Sequence, residues 1–255
     1  MTFDLWTLAL LAGSGLLAGT VNALAGGGTF FTFGALVAAG LPPVVANATS
    51  AVAVSPANLS SSWAYRREIR ANLRRFSVLA ALSLVGGTVG AFILTQTQNE
   101  AFRQVVPWLL LFATVLFAAS PWIVRQAQSV ARAGDRNPAG NAVGLGFQFL
   151  VSIYGGFFGA GMGIVMLAAL AITEGDDFHL INAAKNLCST VIQLSAVVMF
   201  VIAGLVSWPE TMVVGAASVI GGYTGVTFGR KLPPSTIRYM VIAVGTALTI
   251  YFFVR

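Results

Sequence analysis

Long apolar stretches alternate with short polar connections along the whole chain. The first, residues 5–24, is long enough to cross a ~30 Å hydrocarbon core at ~1.5 Å per residue. It runs into Gly26-Gly27-Gly28, flanked by Asn22 and Thr29, and consecutive glycines break a helix. A piece too short to span, residues 29–41, follows and stops at Pro42-Pro43. Residues 44–65 are unusually polar for a spanning helix, with Asn47, Thr49, Ser50, Asn58 and Ser60-Ser61-Ser62. Residues 76–95 and 105–124 are two further spans, the second anchored by Trp108 and Trp122 near its ends. The same order then returns. Gly155 to Gly163 forms a second break, residues 164–173 a short piece, and a polar segment opening at Ile181 carries Lys185, Asn186, Gln193 and Ser195. Residues 211–229 and 239–254 close the chain as spans.

The second half repeats the first at a nearly constant offset: Gly28 matches Gly163, Gly86 matches Gly221 and Gly90 matches Gly225, each 135 residues on, and Asn47-Ala48-Thr49-Ser50 falls against Ala183-Ala184-Lys185-Asn186 after a one-residue gap. The reading is an N-terminal transmembrane repeat (1–124), a basic cytoplasmic linker (125–141) and a C-terminal transmembrane repeat (142–255), forming one integral membrane domain. Gly86-Gly87-Thr88-Val89-Gly90 and its counterpart at Gly221 are small-residue helix-packing sites.

Composition restricts the class. Of 255 residues, 57% are hydrophobic and 9% charged, which excludes a soluble domain. Cys188 is the sole cysteine, so an intrachain disulfide and a Cys-rich metal site are excluded. The acidic start, with Asp4, predicts a retained first segment in place of a cleaved leader. The net charge of +6 lies in short connecting loops, where it reports topology and not nucleic-acid binding.

Charge also bears on orientation. If each broken segment crosses once, the halves are parallel and the chain has eight spans. If each is a re-entrant hairpin or crosses twice, three basic loops share one side: Arg66, Arg67, Arg70, Arg74 and Arg75; Arg125, Arg132 and Arg136; Arg230, Lys231 and Arg238. Only Arg103, Arg255 and the intramembrane Lys185 then fall elsewhere, so the positive-inside rule favours the second count. The expected fold is an all-α polytopic membrane protein of two inverted repeats. It has eight hydrophobic segments and about ten helices, with both termini outside. Inverted repeats whose discontinuous helices meet near the midplane are a recurrent transporter design.

The strings Ala25-Gly26-Gly27-Gly28-Thr29-Phe30-Phe31-Thr32-Phe33, Gly40-Leu41-Pro42-Pro43, Ala46-Asn47-Ala48-Thr49-Ser50 and Tyr65-Arg66-Arg67-Glu68 resemble the first-half signature of the TauE/SafE sulfite-exporter family. Gly156-Phe157-Phe158-Gly159-Ala160-Gly161-Met162-Gly163 resembles its second-half motif. The resemblance extends over nearly the whole chain. Gly34, where the family often has proline, and Ala57, where glycine often follows Pro56, depart from it and bear on local bends. The resemblance implies a multi-pass plasma-membrane transporter of small anions such as sulfite, sulfoacetate or related organosulfonates.

Broken backbone inside a membrane is tolerated only where it is buried in protein or lines a polar cavity, so both breaks mark a candidate site. Backbone N–H groups and half-helix N-termini suit an anion. The expected substrate-binding set is Gly26, Gly27, Gly28, Asn47, Thr49, Ser50, Gly161, Lys185 and Asn186. Lys185 has two readings, a ligand or a snorkelling side chain near the interface. The expected partners are a small anionic substrate and the lipid bilayer, with a homo-oligomer as an option; no nucleic acid, cofactor, metal or catalytic residue is expected. Gly159-Ala160-Gly161-Met162-Gly163 lacks the βαβ surroundings of a nucleotide loop. A passive anion channel is the main alternative. An intramembrane enzyme would need acid–base groups that the span cores do not supply.

Overall fold

The computed structural model describes residues 4–24, 27–132, 138–174, 178–228 and 234–254. Among these residues all regular secondary structure is helical, and none forms a strand. The elements are α1 (Leu5–Leu24), α2 (Thr29–Ala38), α3 (Pro43–Ala64), α4 (Arg66–Ala71), α5 (Leu73–Gln96), α6 (Asn99–Arg132), α7 (Pro138–Phe157), α8 (Met162–Glu174), α9 (Phe178–Ile202), α10 (Trp208–Phe228) and α11 (Pro234–Val254). Among the described residues four helices contain stretches long and apolar enough to cross a membrane: Leu5–Asn22, Leu73–Gln96, Asn99–Ile123 and Leu180–Ile202. Many large apolar side chains face outward, including Val85, Phe112, Val198 and Ile220. That surface suits lipid and not water.

Local chemistry sets the helix ends. Asp4 precedes α1 and its Oδ1 accepts from the Thr7 N–H at 3.0 Å, an N-cap. Pro43 occupies the first position of α3, where its missing N–H costs nothing. The helices overrun the expected spans at several ends: α6 continues to Arg132, and α7 begins at Pro138 inside the stretch read as linker. Charge ends a hydrophobic stretch but not a helix, because Arg and Gln are good helix formers.

The packing is reciprocal between halves. α1 packs most extensively on α10, and α5 on α7; α3 meets α9, and α6 meets α11. Small residues make the first two contacts possible. A Cβ on Gly90 would lie 2.0 Å from the Ile153 carbonyl oxygen, and one on Gly19 would lie 2.0 Å from that of Ser218. The glycines read as packing sites at Gly86, Gly87 and Gly90 do meet α7 and α9 backbone or side chains at this range.

Contact order along the helices settles their directions. Gln193 on α9 reaches the Ala51 carbonyl of α3, Thr190 reaches that of Asn58, and Ser62 reaches that of Asn186. As α3 ascends in number α9 descends, so these corresponding helices are antiparallel. α6 and α11 behave likewise: Trp108 packs on Phe253, while a Cβ at Gly245 would meet Thr114 Oγ1. Parallel repeats would align both pairs. The halves are therefore inverted, and the parallel eight-span count does not hold.

α3 also runs parallel to α10, with Ser207 at Thr49 and Ser218 at Ala53. α10 in turn runs parallel to α1, since Gly15 lies against Val214 and Gly19 against Ser218 and Gly222. With α1 and α3 pointing the same way, the intervening ten-residue α2 must return the chain. At about 15 Å it covers roughly half the hydrocarbon thickness. Gly28 folds back beside Ala18 of α1, whose carbonyl oxygen a Cβ would meet at 2.4 Å. This is the re-entrant form. It places the Arg66–Arg75 stretch, which forms α4 and the start of α5, and the last turn of α10 at one end of the bundle. Single cysteines at Arg67 and Lys231, in a Cys188→Ala background, should accordingly label with an impermeant maleimide from the same face. Labelling from opposite faces would refute the inversion.

Candidate functional site

Both breaks are tied down by a side chain from the helix before them. In the first, Asn22 Oδ1 accepts from the Gly28 N–H at 2.8 Å. In the second, the Tyr154 hydroxyl donates to the Ala160 carbonyl at 2.5 Å, and the Phe158 and Gly159 N–H groups close onto the Tyr154 carbonyl at 2.9 and 3.1 Å. Gly27, Gly159 and Gly161 have φ of 94°, 76° and 74°, left-handed backbone that favours glycine. The half-helices restart with tight turns, Phe31 N–H to Gly28 carbonyl at 3.0 Å and Ile164 N–H to Gly161 carbonyl at 3.1 Å.

The two breaks meet on one ring. A Cβ on Gly27 would lie 2.3 Å from Phe117 Cζ, and one on Gly161 would lie 3.5 Å from Phe117 Cε2. Phe117, on α6, is buried. It packs edge-on against Phe30 of α2 at 5.8 Å. Further edge-on contacts, Phe33 with Phe158 and Phe102 with Phe157, join the start of α6 and α2 to the second break. An aromatic cluster thus surrounds the place where the halves converge.

The first-half polar patch turns toward the second-half break. Asn47 is 2% exposed; its Nδ2 donates to the Phe157 carbonyl, the last of α7, at 2.9 Å. Its Oδ1 is buried with no partner among the described residues. Thr49 is buried and its Oγ1 accepts from the Ser207 N–H at 3.0 Å. Ser50 shares a 2.5 Å hydrogen bond with Thr32 of α2.

Lys185 and Asn186 lie elsewhere. Both are half-buried on α9, and the Asn186 carbonyl accepts from Ser62 at the far end of α3. From Asn47 to Ser62 is about four turns, or ~22 Å of helix. The expected residues therefore form two groups at different depths: Gly27, Gly28, Gly161, Asn47, Thr49 and Ser50 around the breaks, and Lys185 with Asn186 toward the Arg66–Arg75 end. Gly26 lies outside the described residues. Phe117 had no signal in the sequence, since one phenylalanine in an apolar span resembles any other. Thr32 follows the first glycine run, and its hydrogen bond to Ser50 gives it its place in the site.

Inverted helical halves with two discontinuous segments converging inside the membrane define a membrane transporter. The chain belongs to the sulfite exporter TauE/SafE family, whose sequence profile matches residues 11–252. A probable membrane transporter protein of Haemophilus influenzae is 26% identical over 246 residues, covering 95% of this chain and 92% of that protein. The probable membrane transporter protein YfcA of Escherichia coli is 25% identical over 242 residues, covering 92% and 85%. The probable membrane transporter protein YunE of Bacillus subtilis is 24% identical over 261 residues, covering 92% and 94%. No solved structure matches the chain significantly.

Proposed function

We propose that this transporter is an alternating-access carrier of small sulfur-containing anions, of the class of sulfite, sulfoacetate and related organosulfonates, with the head group held where the two breaks converge. The observation that carries the reading is the approach of both breaks to one ring: a Cβ added at Gly27 or at Gly161 would meet Phe117. One break from each inverted half reaches the same point, which is what a site exposed alternately to two faces requires. The family name supports the sulfur anion.

The two groups of polar residues are then stations on one path. Asn47, Thr49 and Ser50 serve the anion on one side of the convergence, with the backbone of Gly27 and Gly161 at its centre, and the Gly28 N–H exchanging its bond to Asn22 for one to the anion. Lys185 and Asn186 serve it on the other side. Interhelical hydrogen bonds that already engage Thr49 and Ser50 would exchange with bonds to the anion as the halves move. Phe117 separates the stations and must turn aside for passage.

The test is counterflow in proteoliposomes with sulfite, sulfoacetate, sulfate and chloride. A carrier should saturate and show trans-stimulated exchange of at least one sulfur anion, with little exchange of chloride. Conductive anion current with no counterflow would make the protein a channel.

A further inference from the structure

Glu210 lies in the first turn of α10 and is 6% exposed, a buried carboxylate that the path above does not use. Ser207-Trp208-Pro209-Glu210 has the spacing of a capping box, in which the glutamate would reach back to the serine N–H. That N–H is taken by another helix: Ser207 N donates to Thr49 Oγ1 on α3 at 3.0 Å. The Ser207 hydroxyl donates instead to Glu210 Oε2. A single serine thus joins the carboxylate to a buried threonine of the polar patch. α1 and α3, the helices packed against α10, contain no Asp, Glu, Lys, Arg or His. The charged residues that open elements at this end are Asp4 before α1, and Glu100 and Arg103 at the start of α6.

Building on the carrier reading, we propose that Glu210 is the proton-binding group of a proton–anion symport. An ionised carboxylate beside the path repels an incoming anion, and the low-dielectric surroundings strengthen the repulsion. Taking up one proton converts the carboxylate to a neutral carboxylic acid and removes it. The new O–H can donate to Ser207 Oγ while the serine hydrogen turns away, and no other proton moves. By linkage, the proton and the anion each favour the binding of the other.

Glutamine separates this role from helix capping, because it fills the same capping position but does not titrate. The probe is whichever of radiolabelled sulfoacetate or sulfate exchanges in counterflow; where only sulfite exchanges, which itself takes up a proton near neutrality, the difference between wild type and Glu210→Gln at each pH is the readout. In wild type, a proton gradient acidic on the Glu210 side should drive accumulation. The half-saturating anion concentration should fall by about 5- to 150-fold between its alkaline and acid limits. Glu210→Gln should keep counterflow, lose gradient-driven accumulation and show half-saturation independent of pH. Glu210→Asp, which keeps a carboxyl group, should keep the pH dependence. Accumulation by a Glu210→Gln protein, or pH-independent half-saturation in wild type, would overturn the assignment. If Glu210→Gln does not insert, Glu210→Asn, which likewise carries no carboxyl group, takes its place: loss of gradient-driven accumulation is expected, and retained accumulation would overturn the assignment. Absence of exchange for every anion in the panel would instead sink the carrier reading, and the coupling with it.

Discussion

Gly27→Ala should abolish most transport and lower the thermal stability of the detergent-purified protein. Two costs combine at this position. An alanine at φ 94° takes on backbone strain of about 1–3 kcal/mol. Its Cβ would also lie 2.3 Å from Phe117 Cζ, an overpacking that costs about 1–3 kcal/mol more. Gly40 supplies the control, since its φ is also 94° but a Cβ there meets nothing within 4 Å. Gly40→Ala should show the strain without the clash. Phe117→Leu in the Gly27→Ala background should recover the steric part only. Equal stability of the Gly27→Ala and Gly40→Ala proteins would show that Phe117 does not bear on the first break.

Lys185→Gln should weaken anion binding by about 10- to 150-fold, the loss of one charge-assisted hydrogen bond of about 1.5–3 kcal/mol. The effect should be larger when the anion is presented from the Arg66–Arg75 end, because Lys185 sits toward that side of the convergence. Lys185→Arg should restore only part of it, since a planar guanidinium needs different space and partners. The readout is half-saturation of counterflow in oriented proteoliposomes. A correctly inserted Lys185→Gln protein with unchanged half-saturation from both faces would make Lys185 a snorkelling residue.

What the sequence determined by itself is local. Hydropathy is a property of each segment, so the spans and the membrane class followed from composition and segment length. Glycine acts on the backbone where it stands, so the breaks at Gly27 and Gly161 were visible without any partner. The duplication was visible because both halves keep the same spacing of Gly28, Gly86 and Gly90 with Gly163, Gly221 and Gly225. Charge pattern favoured inversion, but only through a statistical rule about loops.

The tertiary structure decided everything that depends on which distant residues touch. The antiparallel course of α3 and α9 rests on pairs such as Ser62 with Asn186, which no local pattern announces. The same is true of Phe117, which becomes special only because Gly27 and Gly161 are packed against it. Lys185 and Asn47 read alike as polar residues after a break, yet inversion sends corresponding positions to opposite depths, so they belong to different stations. Glu210 follows an apolar segment beside Trp208 and Pro209, and nothing local marks it as buried. Its burial depends on the helices packed around α10, and the Ser207 N–H beside it is taken by Thr49 of α3, a partner no local pattern announces.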